Sequence, residues 1–599
     1  MGMERLLKLR GRMMELGVDI CIVPTADFHE SEYVGDHFKT RAWLTGFTGS
    51  AGVAVVTLGE AGLWTDGRYF IQAEREISGS GFKLFRMGTE GVPTVNEFVR
   101  SRLTEGGTVG FDGRTVNAAW GLELQKIVRE KNGSLITDQD IAGDLWEDRP
   151  ALPAEPIWIL SEKYAGESVQ KKLSRVREKM REAGASVHVL TTLDDIAWIL
   201  NLRGGDIPNV PVFLGYLLLT ERGCILYTHV DSVSQEVRDH LSENGIRLAP
   251  YDDFYSMAEL LGKKPSVKVL MNPNTVNYRL YSTIADGAKV IDGVSPIYTM
   301  KAVKNETELS NIRNAHIKDG VAMVRWLYWL KNTLETAAPL DEVMVAEKLL
   351  AFRKENEGFL GPSFGTICAY GSNAAMMHYK AVPGKAASIG RSGLLLIDSG
   401  GHYLEGSTDI TRTVVVGPVT EEEKRYFTLV LKSNLHLANA KFLYGCTGMN
   451  LDILARGPLW ALGVDYRCGT GHGIGYLLNI HEGPNGFRYK KVPERNDSAV
   501  LEEGMVTTDE PGVYFEGRFG IRHENELITR KDEKNEYGQF MRFETVTYCP
   551  FDLEAVVPNL LTREERELLN SYHRMVFETL APHLPEAEKW WLKYETREI

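Results

Sequence analysis

The sequence predicts an α/β (α+β) protein: two related amino-terminal α/β domains followed by a larger third domain. Three observations carry this. At 599 residues the chain exceeds what one ordinary core accommodates. The stretch "KLRGRMMELGVDICIVPT" at 8–25 aligns without gaps on "RVREKMREAGASVHVLTT" at 175–192. Beyond residue 305, helix-start signals and glycine-punctuated strand patterns alternate to the end.

In both copies an amphipathic helix ends at a glycine able to take positive φ, Gly17 or Gly184, and a β-branched strand follows. Arg10, Met13, Glu15, Gly17 and Thr25 recur as Arg177, Met180, Glu182, Gly184 and Thr192. Each copy then reaches an Ala-Trp pair, at Trp43 and Trp198, followed by Gly-rich text, and we read the two as a duplication. The first domain, 1–155, closes where Pro150, Pro153 and Pro156 prevent a helix from continuing. The second, 156–304, ends at "SPIYTMKAVKNETEL", where Asn305 and Glu308 form a helix-start signature. The third, 305–599, begins with the amphipathic run of Val321, Val324, Leu327 and Leu330, and Thr420 with Glu423 opens another helix.

A net charge of −13 argues against a nucleic-acid-binding surface and against attraction to anionic membrane, so neither partner is expected. No uninterrupted apolar segment approaches membrane-spanning length. The stretch "MGMERLLKLRGRMMELGVD" carries a charge every few residues, unlike a signal or transit peptide. Cys21, Cys224, Cys368, Cys446, Cys468 and Cys549 are scattered singly, a usage that fits reduced thiols and a cytoplasmic location.

The chemistry begins in "LIDSGGHYLEGSTDITRT", residues 396–413, which reads as a hairpin. Asp398 ends a buried-looking run, and strand alternation puts Asp409, Thr411 and Thr413 on one face. Two carboxylates facing each other in apolar surroundings resist ionisation unless something positive lies between them. Alone, the pair fits a structural reading equally well, with Asp398 capping a turn and Asp409 a solvated edge residue. Further candidates are His472 in "CGTGHGIGY", Glu510 at a strand end in "TTDEPGVYFEG", and Glu524 in mid-strand in "FGIRHENELI", sharing a face with Arg522 and Glu526. Four carboxylates and one imidazole suit a pair of divalent cations, whose charge offsets theirs.

These frames, with "GTGHGIGYLLNIHEGP", "DEPGVYFEGRFGIRHEN" and "RFETVTYCP", resemble the pita-bread metallopeptidases, specifically the long, three-domain form of the aminopeptidase P (Xaa-Pro aminopeptidase) family. "AWLTGFTGSAGVAVVTLGEAGLWTDGRYFIQAE" and "DDIAWILNLRGGDIPNVPVFLGYLLL" are similar to its two creatinase-like amino-terminal domains. The resemblance implies removal of an amino-terminal residue from peptides with proline second, by a hydroxide held between two divalent metal ions, manganese first among them. It implies Asp398, Asp409, His472, Glu510 and Glu524 as metal ligands, with Asp409 and Glu524 bridging and Glu510 also the proton acceptor and shuttle. His378, in "NAAMMHYKAVPG", matches a histidine that hydrogen-bonds the developing oxyanion; His481, in "NIHEGP", matches a second substrate-facing histidine, and Arg522 is assigned to substrate binding. It also implies a homodimer. A prolidase, which accepts only dipeptides, and a binding module without catalysis are the competing readings; two full amino-terminal domains and a complete ligand set count against them.

One position departs from the family. Four residues before the loop histidine it carries a second histidine, and here stands Cys468, a neutral thiol near neutral pH that is expected to fill space. His523 should face away from Glu524. Asp509, Glu526 and Glu544 fall on no ligand position and are expected to hydrogen-bond ligands or be solvated. Other motifs fail: "IHEGPNG" lacks the second histidine of a zincin helix, "GTGHGIG" has Ile474 where a dinucleotide loop needs glycine, and "GFTGSAG" lacks a phosphate-loop lysine.

Overall fold

The computed structural model describes residues 2–336, 338–491 and 498–599. The chain packs as two compact units, Met1–Leu160 with Glu167–Ile297, and Ser161–Gly166 with Tyr298–Ile599.

The first unit contains the repeat. Helix α1 (Gly2–Leu16) buries Leu6, Leu9 and Met13 at helical spacing, turns at Gly17 with φ +67°, and feeds β1 (Ile20–Pro24). Strands β2 (Val53–Thr57), β3 (Ala61–Thr65), β4 (Lys83–Arg86), β5 (Thr108–Gly110) and β6 (Ser134–Ile136) complete a sheet ordered β4-β3-β2-β1-β5-β6. The second copy runs through α2 (Val169–Glu182), Gly184 with φ +69°, and β7 (Val187–Leu190). Its sheet adds β8 (Gly215–Thr220), β9 (Cys224–Thr228), β10 (Ile246–Pro250), β11 (Lys268–Met271) and β12 (Lys289–Asp292), ordered β10-β9-β8-β7-β11-β12. Every pairing repeats in sense: β1–β2 and β7–β8 are antiparallel, β1–β5 and β7–β11 parallel, and so outward on both sides. Identical order and sense in six strands is the mark of a duplication.

The second unit opens with α3 (Glu306–Glu335), whose capping box is formed: Glu308 N–H donates to Asn305 Oδ1 at 3.0 Å and Asn305 N–H to Glu308 Oε2 at 2.9 Å. Helix α4 (Glu342–Lys354) follows. Next, β13 (Ile367–Tyr370), β14 (Leu394–Ser399) and β15 (Ile410–Val415) form an antiparallel sheet in which Asp398 is registered against Ile367 and Thr411. The predicted hairpin is thus β14 and β15, with an inset pair, Gly401–Tyr403 and Gly406–Ser407, between them. Gly400 is required there, because a Cβ would lie 1.8 Å from the Thr408 carbonyl oxygen.

Helix α5 (Glu421–Ala438), β16 (Lys441–Leu443) and α6 (Gly448–Trp460) lead to the short pair β17 (Gly471–His472) and β18 (Gly486–Phe487). The chain continues through β19 (Val506–Asp509), the hairpin of β20 (Gly512–Phe515) and β21 (Phe519–Arg522), β22 (Asn525–Asn535), β23 (Gly538–Thr545) and α7 (Arg563–Leu580) to α8 (Glu586–Glu595). Strands β16, β23, β22 and β19 form one sheet in that order. Among the described residues no helix is long and apolar enough to cross a membrane.

Candidate metal centre

The centre lies where β15, β17, β19 and β21 converge. Thr413 Oγ1 donates to the Arg522 carbonyl at 3.0 Å, and Glu524 N–H donates to the Thr411 carbonyl at 3.1 Å, fastening β15 to the segment after β21. Asp409 precedes β15. Glu524 lies in a two-residue break between β21 and β22, not within a strand as the pattern suggested. The break frees its carboxylate from strand alternation while its backbone stays tied to β15. His523, inside the same break, packs edge-on against Phe427 at 4.3 Å on the core side, as expected.

Asp409, His472 and Glu524 each offer a ligand atom, and these atoms lie within 4.8 Å of one another. His472 Nε2 is 3.6 Å from Asp409 Oδ2 and 3.7 Å from Glu510 Oε1. His472 Nδ1 meets the Gly473 carbonyl at 3.0 Å, an arrangement that assigns the ring proton to Nδ1 and turns the Nε2 lone pair toward the carboxylates. Its backbone N–H donates to Thr508 Oγ1 at 3.0 Å, pinning β17 to β19 and so to Glu510. Gly471 makes this approach possible, since a Cβ would lie 1.8 Å from the Thr508 carbonyl oxygen.

Asp398 reaches the cluster through Arg522, whose Nη2 lies 2.5 Å from Asp398 Oδ2. Arg522 is buried and its other nitrogens are engaged: Nη1 donates to Tyr514 Oη at 2.6 Å and Nε to Thr411 Oγ1 at 3.2 Å. It therefore clamps Asp398. Thr411 Oγ1 in turn donates to Glu524 Oε2 at 2.8 Å. The ring of His481 meets that of His472 edge to face at 4.2 Å. His378 lies in the turn after the short helix Gly371–Ala375, one residue beyond Met377, whose carbonyl is 3.5 Å from Arg522 Nη2.

Electrostatics set the character of this cluster. Burial pushes the Asp409 carboxyl well above its ordinary range, with Asp398 and Glu510 adding to the shift. Glu524 is raised likewise, by burial and then by Asp409. Burial lifts Glu510 to about 7 against the pull of Arg522, while Asp398 pushes it further up. Asp398 Oδ1 is buried with no hydrogen-bond partner among the described residues. Four carboxylates, one of them with an orphaned oxygen, and one imidazole lone pair form a donor set that divalent cations fit.

Cys468 is partly buried against the apolar cluster of Val513, Phe519 and Ile521. Burial, with Glu510 adding, raises its thiol to about 11, so it stays neutral. Glu526 supports a ligand: its Oε1 accepts from Asp409 N–H at 2.7 Å, while Oε2 lies 3.1 Å from His316 Nε2. Glu544 instead pairs with Arg313. Asp509 is fully buried, neither side-chain oxygen has a hydrogen-bond partner among the described residues, and burial pushes its carboxyl well above the ordinary range. Sequence reasoning missed Arg412, which donates to the Glu524 carbonyl at 2.6 Å and to Cys549, Pro550 and Tyr572. Its place among alternating residues of β15, pointing opposite to Thr411, was the available signal.

Comparisons with known proteins give a consistent picture. Residues 5–142 and 148–308 each match the creatinase/prolidase N-terminal domain, 310–531 match metallopeptidase family M24, and 539–599 match the C-terminal region of peptidase M24. The chain is 39% identical to aminopeptidase P2 of Arabidopsis thaliana, over 100% of this chain and 88% of that one. It is 39% identical to a probable Xaa-Pro aminopeptidase P of Pyrenophora teres f. teres, over 99% and 92%. The crystal structure of X-prolyl aminopeptidase from Caenorhabditis elegans, described as a cytosolic enzyme with a di-nuclear active site, superposes with a TM-score of 0.94 at 33% identity and covers 100% of both chains.

Proposed function

Because the chain belongs to the aminopeptidase P (Xaa-Pro aminopeptidase) family, we infer that it is a hydrolase that removes the amino-terminal residue from peptides with proline in second position. The observation that carries this is the convergence of Asp409, His472 and Glu524 beside Glu510 and the orphaned Asp398 oxygen. In this reading Asp398, Asp409, His472, Glu510 and Glu524 would hold two divalent cations. Manganese suits a set rich in carboxylate oxygen and free of thiolate. When bound, the pair supplies hydroxide near neutral pH and polarises the scissile carbonyl.

The chain's own groups do the rest. Glu510 accepts a proton and passes it to the departing proline nitrogen. His378 donates a hydrogen bond to the developing oxyanion, worth about 2.7–4 kcal/mol for one such donor. His481, edge to face with His472, faces the substrate. Arg522 holds Asp398 in place, and any contact it makes with substrate requires one of its present bonds to be given up.

A homodimer and a cytosolic address belong to the same reading. Helix α6 buries Leu451, Ala455 and Leu459 yet exposes Met449, Ile453, Leu454 and Trp460, an apolar face suited to a second copy. The described cysteines are all unpaired, and the nematode relative is described as cytosolic. The test is metal analysis: stripped protein titrated with manganese should take up two ions per chain and gain cleavage of an Xaa-Pro peptide in parallel. Full activity in metal-stripped protein would refute the reading.

A further inference from the structure

Glu342 is the first residue of α4, fully buried and distant in sequence from every ligand, yet its carboxylate is saturated. Oε1 accepts from Tyr370 N–H at 2.8 Å and Asn373 Nδ2 at 2.9 Å; Oε2 accepts from Tyr379 Oη at 2.7 Å and Ala387 N–H at 2.8 Å. A carboxylate has about four acceptor sites, and all are used. The four donors sample one loop in order: its start at Tyr370, the short helix at Asn373, the residue after His378, and its return at Ala387.

The rest of the loop is fastened in ways that make this carboxylate its centre. Glu342 N–H returns a bond to the Ala387 carbonyl at 3.2 Å, and Ile389 N–H donates to the Leu340 carbonyl at 2.8 Å. On its far side the loop rests on β21: a Cβ at Gly520 would lie 1.9 Å from the Ala374 carbonyl oxygen, and the Met377 carbonyl approaches Arg522. The loop is therefore held between Glu342 and the strand that carries the clamp of Asp398. A buried polar network with every site filled rigidifies what it holds.

We propose that Glu342 is a positioning residue for the reaction, holding the 370–387 loop so that His378 meets the reacting carbonyl. The inference rests on the reading of His378 as the oxyanion donor. Oxyanion stabilisation is sensitive to sub-ångström placement, so loosening the loop acts on kcat and spares substrate binding at the metals.

The experiment is a double-mutant cycle on the manganese-loaded enzyme with a long Xaa-Pro peptide. Glu342→Gln, which leaves one oxygen where there were two, is expected to lower kcat about tenfold or more with KM changed less than about threefold and metal uptake unchanged. In a His378→Ala background the same change should alter kcat less than about twofold. Hydrogen exchange on the metal-free protein supplies an activity-independent readout: amides of 371–387 should exchange faster in Glu342→Gln while those of β14 and β15 do not. Equal losses of kcat in both backgrounds, or unchanged exchange of the loop, would overturn the proposal. If His378→Ala alone leaves kcat unchanged, the reading of His378 fails first, and the proposal with it. Should Glu342→Gln not fold, Tyr379→Phe, which removes one donor and leaves the carboxylate, must show a smaller loss of kcat that likewise disappears without His378.

Discussion

At the scale of single residues, the centre is a place where burial and like charge work together. Carboxyls raised in the folded state keep protons that the unfolded chain gives up. The stability they contribute is complete below their ordinary range and lost as pH rises through the folded value, about 7 for Glu510. The metal-stripped protein is therefore expected to melt at a lower temperature at about pH 8 than at about pH 5, by a margin that narrows in Glu510→Gln and on adding manganese. A thermal-shift series across pH measures this, and a flat or opposite dependence relative to Glu510→Gln would contradict it. Replacing a bridging candidate, Asp409→Asn or Glu524→Gln, should abolish stoichiometric metal uptake and lower kcat/KM by about a hundredfold or more, read from metal analysis and steady-state kinetics. Cys468, held neutral with its thiol near 11, should resist iodoacetamide at neutral pH. Alkylation there as fast as at a free small thiol, seen by mass spectrometry, would contradict that assignment.

At the scale of elements, the ligands are brought together by glycines that permit backbone contact. At Gly471 a Cβ would collide with the Thr508 carbonyl, so Gly471→Ala must push β17 from β19 and His472 from Glu510. It is expected to cost about 1–3 kcal/mol in denaturant unfolding and to weaken metal binding as well. Gly365→Ala, where nothing lies within 4 Å, serves as the neutral control. The same elements show what the sequence could disclose. The β14–β15 hairpin, the capping boxes at Asn305 and Thr420, and the helix ends at Gly17 and Gly184 were legible because each is a local pattern. The clamp of Arg522 on Asp398 and the grip of Arg412 on the Glu524 carbonyl were not, because they join residues more than a hundred positions apart. Glu524 was misread as mid-strand because alternation continues through a two-residue break that only pairing reveals.

At the scale of the whole molecule, two copies of one six-stranded sheet precede a unit in which every candidate ligand resides. The exposed apolar face of α6 gives the proposed homodimer a direct check: Ile453→Glu should halve the mass seen by light scattering, and an unchanged mass would place the interface elsewhere. The central claim is the reaction itself. The measurement that tests it most directly is release of the first residue from a long Xaa-Pro peptide, an Xaa-Pro dipeptide and a long Xaa-Ala peptide, each with and without added manganese. The account predicts manganese-dependent cleavage of the long Xaa-Pro peptide with little on Xaa-Ala; cleavage of the dipeptide alone, or silence on all three in protein shown to carry two ions per chain, would contradict it.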